Sequence, residues 1–174
     1  MKRRIFATVT VVLSVVILAF IITTLLSPKK ESLFIGENSA KFRMTKTELF
    51  VSKGKAKEVN NDIVDTPSDE WVYDEIIEGY EARCSYIFWS SRLCQADITF
   101  KDIDYSEALV LCKDFLEKQE QYYSKYKGFS KEEISEDKGY SFETGWSVNF
   151  GATGIICKFK YSSGTLEIYM VNQE

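Results

Sequence analysis

The sequence predicts an α+β fold in which an N-terminal transmembrane helix precedes an antiparallel sheet covered on one face by one amphipathic helix. Three observations predict it. Ile5 to Leu26 is an unbroken apolar run without a charged side chain, a single amphipathic helical pattern begins at Asp104, and strand-like alternation flanks that helix on both sides. The sheet is expected to consist of a hairpin followed by a C-terminal three-strand meander.

The apolar run is entered through Met1-Lys2-Arg3-Arg4 and left through Ser27-Pro28-Lys29-Lys30. At ~1.5 Å per residue it is long enough to cross a hydrocarbon core of ~30 Å. It exceeds the roughly 7–15 residue apolar segment of a cleaved signal peptide, and no small-x-small pair prepares a cut site, so an uncleaved anchor is expected. The basic flank before the run places the N-terminus in the cytoplasm and the rest of the chain outside it. The chain therefore divides into residues 1–30, a cytoplasmic flank and anchor, and residues 31–174, one extracytoplasmic domain of the cell membrane. This layout is similar to that of the pseudopilins. The Glu that those proteins carry just inside the apolar run is missing from Ile5–Leu26, so the likeness ends with the layout.

Charge separates the two parts. All 26 acidic residues follow Lys30, with 17 of the 22 basic ones, which leaves the domain at −9. A phosphate backbone needs clustered positive charge, so nucleic acid is excluded as the expected partner. From Glu58 to Glu81 there are nine carboxylates and no Lys or Arg. Within this stretch Asp69, Glu70, Asp74, Glu75 and Glu78 are the candidate partner-binding residues, a docking face for a cationic partner or for divalent ions. The alternative reading is a solvated loop around Thr66-Pro67-Ser68 followed by the outward face of a strand. Asp62-Ile63-Val64-Asp65 lacks the spacing and turn glycine of an EF-hand.

The meander is the clearest pattern. Tyr140, Phe142, Trp146, Val148 and Phe150 alternate with polar residues and share a buried face, broken only by Thr144. Gly151-Ala152-Thr153-Gly154 makes a turn, Ile155, Cys157, Phe159 and Tyr161 follow on the same face, and Ser163-Gly164 suits a two-residue hairpin leading to Leu166, Ile168 and Met170. The expected register aligns Val148, Cys157 and Met170 in one row and Trp146, Phe159 and Ile168 in the next.

Upstream, Asp104 and Glu107 resemble a capping box, and Ala108, Leu109, Leu111, Cys112, Phe115, Leu116, Tyr122 and Tyr123 recur on one helical face, with Lys127-Gly128 as the stop. Tyr80–Phe88 and Leu93–Phe100 read as a hairpin around a three-residue loop, Ser90-Ser91-Arg92, which sets Cys94, Ala96, Ile98 and Phe100 on the face of Ala82, Cys84, Tyr86 and Phe88. Lys41–Val51 is expected to be a strand or hairpin and Lys53–Glu70 a linking loop.

Cys84, Cys94, Cys112 and Cys157 all fall on expected core faces. They are candidate disulfide cysteines whose pairing is open. Cys84 and Cys94 sit too far apart along neighbouring strands, so Cys112 with a sheet cysteine is the favoured bridge, and buried free thiols are the alternative. The gaps between them contain no CxxC and the chain has no His, so no metal site is expected.

The absence of His excludes Ser-His-Asp and Cys-His catalysis, and no phosphate-binding or nucleophile-elbow motif occurs. No cofactor and no catalytic residue is expected. Trp71 and Trp89 are candidates for an exposed carbohydrate or peptide platform, whereas Trp146 alternates with core residues. The functional expectation is a membrane-anchored domain that binds a protein partner, as an envelope accessory or regulatory subunit. The alternatives are a carboxylate-based cell-surface hydrolase and an immunity-type or inhibitor protein.

Overall fold

The computed structural model describes residues 40–61, 68–151 and 153–173. The apolar run Ile5–Leu26, the Thr66-Pro67 corner and Ala152 lie outside the described residues. Among those described, no helix is long and apolar enough to cross a membrane.

The domain is α+β. In chain order it comprises α1 (Lys46–Lys53), β1 (Glu58–Asn61), β2 (Ser68–Ile77), β3 (Tyr80–Trp89), β4 (Arg92–Lys101), α2 (Tyr105–Tyr123), β5 (Phe129–Lys131), β6 (Ser135–Asp137), β7 (Ser141–Asn149), β8 (Gly154–Ser162) and β9 (Thr165–Gln173). The strands form one nine-stranded sheet in the order β1-β2-β3-β4-β9-β8-β7-β5, with β6 also paired to β7. Two meanders, β2–β4 and β7–β9, are thus joined side by side through antiparallel β4 and β9.

Period-two alternation sends one set of side chains from every strand to the same face. Trp71, Tyr86, Ala96, Met170, Cys157 and Trp146 form one continuous row across six strands. α2 lies against this face, with Phe115 on Phe100 at 6.5 Å and Tyr123 stacked on Trp146 at 4.5 Å between ring centroids. Its start is set by Asp104, whose carboxylate accepts the Glu107 N–H at 2.8 Å. The helix ends at Tyr123, with Ser124 as its cap. That is earlier than the Lys127-Gly128 stop expected from sequence, and the chain then turns toward β5.

Lys41–Val51 is not a strand. Thr45 and Glu48 form a reciprocal capping box, the Thr45 hydroxyl accepting from Glu48 N–H while Glu48 accepts from Thr45 N–H, and this starts α1. Lys53–Glu70 is not wholly loop either, because β1 pairs with Asp69–Val72 of β2.

The hairpins correct the expected registers in two places. Ser90 and Ser91 both have positive φ (49° and 64°), the backbone of a two-residue hairpin, so β4 begins at Arg92. A bulge at Leu93 and Cys94 then restores the expected pairing of Ile87 with Gln95 and Ala82 with Phe100. Leu93 takes the core position and Cys94, expected in the core, is only partly buried. In the meander, β8 and β9 pair as expected, with Cys157 opposite Met170 and Phe159 opposite Ile168. The β7–β8 register differs by two residues: Trp146 faces Cys157 and Val148 faces Ile155. The turn closes one residue earlier, at Gly151 (φ 96°), with Phe150 N–H donating to Thr153 C=O at 2.8 Å. A two-residue slip leaves each face unchanged, so Phe142, Trp146 and Val148 remain buried.

Tyr140 and Phe150, expected inside, are exposed beyond the ends of β7. Thr144, read as an interruption, is buried with its hydroxyl donating to Glu132 C=O at 3.0 Å. Gly145 lies where a Cβ would come within 2.6 Å of Cys157 O. Gly145→Ala is therefore expected to lower stability by about 1–3 kcal/mol through this backbone clash. Urea denaturation followed by tryptophan emission checks it, and an unchanged midpoint would contradict the close approach.

Candidate functional site

The five candidate carboxylates do not converge on one face. Strand alternation turns Asp69 and Glu75 toward the helix-covered face and Glu70 and Asp74 toward the other, while Glu78 occupies the β2–β3 turn with φ 51°. Each meets a partner from its own chain. Lys46 pairs with Asp69, Lys57 with Asp74, Lys53 with Glu75 at 2.6 Å and Lys118 with Glu78 at 2.7 Å, and the Asn60 amide donates to Glu70 at 2.7 Å.

Local geometry explains two of these pairs. Lys46, Leu49 and Lys53 share one side of α1 by helical spacing, so burying Leu49 carries both lysines to β2. Lys53 also lies 5.3 Å from the Tyr86 ring centroid, and the Tyr86 hydroxyl donates to Glu75 at 2.9 Å. The Lys53–Glu75–Tyr86 contact is partly buried and pins α1 to the sheet. The exposed pairs contribute roughly 0–1 kcal/mol each.

The sheet face opposite α2 is covered by no described helix. At its middle lies Asp97 on β4, between Ser85 of β3 and Tyr169 of β9. The Gln95 amide donates to both Asp97 oxygens, at 2.9 and 3.2 Å. Burial lifts the proton affinity of this carboxyl, the Gln95 hydrogen bonds offset part of that, and the negative charges of Glu70 and Glu167 add to it. Val171 and Ile156 continue the row of Gln95 as partly buried apolar neighbours. Asp97 was not singled out in the sequence, where it is one polar residue alternating along a hairpin strand. Its distinction comes from β9, which joins β4 only through a long-range pairing.

On the covered face the chief polar residue is Gln119 of α2, 1% exposed. Its Oε1 accepts from Trp146 Nε1 at 2.7 Å and from Cys157 Sγ at 3.5 Å, and its Nε2 donates to Met170 Sδ at 3.4 Å. The helical pattern signals this position, since Gln119 follows Phe115 and Leu116 by one turn on the apolar face. Its role is to satisfy the buried indole.

Cys84, Cys112 and Cys157 are free thiols. Burial raises the Cys84 thiol well above its ordinary range, with Glu75 adding to it, and pushes Cys112 up to about 12. Cys157 is raised by burial and, to a lesser extent, by the Cys112 thiol. Such thiols pack as small apolar groups and are poor nucleophiles. Cys94 lies at the bulge, its Sγ donating to Ile87 C=O at 3.3 Å. Among the described residues no group of three His, Cys, Asp or Glu side chains is arranged to hold a metal. Trp146 is in the core, Trp71 rests on Phe88 at 5.8 Å, and Trp89 is 56% exposed at the β3–β4 turn.

No family model matches the chain, and neither curated proteins nor solved structures give a significant match.

Two outcomes are expected. Gln119→Leu strips the Trp146 indole of its buried acceptor and is expected to destabilise the domain by about 1–3 kcal/mol, visible as a lower urea midpoint and altered emission. Asp97→Asn should do the reverse. A folded-state carboxyl with raised proton affinity binds more protons than the unfolded chain, so its ionisation destabilises the fold as pH rises through the shifted value. The variant should be more stable than wild type at neutral pH, and that advantage should disappear below the ordinary carboxylate range. Urea midpoints from acid to neutral pH read this directly, and a constant difference would contradict it.

Proposed function

We propose that the chain is a single-pass membrane protein whose extracytoplasmic domain works by binding a cationic segment of a partner protein, as an envelope accessory or regulatory subunit. The observation that carries this reading is the Asp97 locus. Asp97, Glu70 and Glu167 put negative charge on the face that no described helix covers, the Gln95 amide donates to Asp97, and Lys158 and Lys160 of β8 border this locus opposite Tyr169 and Glu167. A Lys or Arg from a partner would relieve that repulsion while the apolar neighbours Ile87, Val171 and Ile156 provide contact area. The sequence-based surface is thereby narrowed. Glu70 and Asp74 stay part of it, whereas Asp69 and Glu75 hold α1.

The apolar run and its basic flank support the uncleaved anchor, the cytoplasmic N-terminus and the cell-membrane location. The domain's charge of −9 supports a cationic partner over nucleic acid.

A carboxylate hydrolase is a second reading, favoured by the same raised carboxyl, since a protonated Asp is what a general acid requires. One experiment separates the two. A photo-cross-linker replacing Tyr169 in the full-length protein, in its native membrane, should trap a defined partner in a salt-sensitive manner. Adding Glu70→Gln and Asp97→Asn together should reduce trapping at least about tenfold, the scale of losing one to two charge contacts. Undiminished trapping in the double variant would reject the Asp97 surface. A hydrolase would instead lose activity through Asp97→Asn alone and tolerate Glu70→Gln.

A further inference from the structure

We propose that the corner where the chain leaving α2 meets the end of β7 binds an acidic sugar, one hexuronic acid residue of a glycan, with the sugar ring on Phe150, its carboxylate on Lys127 and a hydroxyl on the Asn149 amide. This corner lies at the β7 edge of the sheet, away from Asp97 on β4, and requires neither that locus nor the anchor.

Phe150 follows the buried phase of β7 but stands just past its end, where its N–H donates to Thr153 C=O at 2.8 Å and its side chain is 41% exposed. The Tyr126 ring packs on it edge to face, 5.3 Å between centroids, and holds it in one orientation. Gly128 lets the chain after α2 come close to β7. Its φ of 89° suits glycine, and a Cβ there would lie 3.0 Å from Asn149 O, so a side chain would push the two segments apart. The walls are therefore fixed before any ligand arrives. Tyr126, Lys127, Gly128, Asn149, Phe150 and Gly151 together line a cavity of about 550 Å³, within the usual ~300–1,000 Å³ of small-molecule sites.

Three groups of this corner match three parts of such a sugar. The face of an aromatic ring is negative and attracts the polarised C–H groups of a pyranose, so the exposed Phe150 offers a stacking surface. Asn149 Oδ1 accepts from Gly151 N–H at 2.8 Å, which fixes the amide and leaves both Nδ2 hydrogens to donate to sugar oxygens. Lys127 forms no ion pair among the described residues, whereas Lys118 and Lys131, before and after it in sequence, meet Glu78 and Glu120. Lys125 lies 4.0 and 5.2 Å from the Tyr122 and Tyr126 ring centroids and adds to the positive potential here. A single cation in the lining suits one carboxylate per sugar. A nucleotide would bring more negative charge to a domain at −9, and a neutral sugar would leave Lys127 unused.

The test titrates the full-length chain, purified in a zwitterionic detergent without a sugar headgroup, with trisaccharides of galacturonic, glucuronic and mannuronic acid and with their neutral methyl esters. Saturation-transfer NMR reads contact and affinity. At least one acid is expected to bind with a Kd on the order of 1 mM, and its ester at least about fivefold more weakly. Phe150→Ala should weaken binding at least about fivefold and Phe150→Trp should retain it. Lys127→Gln should remove the preference for acid over ester, and Lys127→Arg should keep it. Tyr140→Ala, which alters the exposed ring at the other end of β7, should leave binding unchanged, and urea midpoints verify that each variant is folded. No contact with any of the three acids at concentrations on the order of 10 mM would overturn the inference, as would equal binding of acid and ester by the wild type or binding that survives Phe150→Ala. A dimer of the full-length chain that Phe150→Ala dissociates would overturn it too, because the corner would then be an interface between copies.

Discussion

The antiparallel pairing of β4 with β9 is the constraint on which the other contacts depend. It joins residues 64 to 76 positions apart, from Lys101 with Thr165 to Gln95 with Val171, and makes one sheet of two meanders. Without it the row from Trp71 to Trp146 would be two short rows, and α2 would have no continuous surface to cover. Closing so long a loop is entropically unfavourable, and only the burial of Phe100, Ile98 and Ala96 against Leu166, Ile168 and Met170 compensates for it. The same pairing places Asp97 beside Tyr169 and near Glu167, so the fold's main long-range contact also creates its acidic locus.

This divides what was legible in the sequence from what was not. The elements that close locally were readable. Alternation from Phe142 to Met170 identifies three strands, Ser163-Gly164 adopts the turn its composition demands, and Asp104 caps the helix that follows it. The two misplaced turns are local as well, but their chemistry is degenerate. Either Gly151-Ala152 or Ala152-Thr153 can close a hairpin with the same face inward, and the Leu93–Cys94 bulge mimics a three-residue loop in every pair beyond it. α1 was misread because it is short and its apolar residues also suit a strand, although Thr45 and Glu48 carried the capping signal.

The acidic strand shows why charge runs mislead. Between Glu58 and Glu81 no cation occurs in sequence, yet Lys46, Lys53, Lys57 and Lys118 arrive from α1, from the segment after it and from α2. Two further facts were beyond the sequence. Alternation along β2 distributes the carboxylates to opposite faces, and only the fold reveals which face a helix covers. The candidate surface therefore moves from a stretch of chain to a patch assembled from β2, β4 and β9.

Gln119 and Asp97 show how satisfaction separates a structural polar group from one available to a partner. Both sit among apolar residues, and burying either without partners would be unfavourable. Gln119 uses its carbonyl on Trp146 and Cys157 and its amide on Met170, partners fixed within the core, so its hydrogen-bonding capacity is directed inward. Asp97 has the Gln95 amide, while Glu70 and Glu167 add to the effect of burial in raising its proton affinity. Ionised, it gains from an approaching cation; protonated, it becomes a donor. Its state can therefore respond to a charge placed on that face, whereas the state of Gln119 cannot, and this asymmetry is the physical basis for proposing recognition by the uncovered side of the sheet.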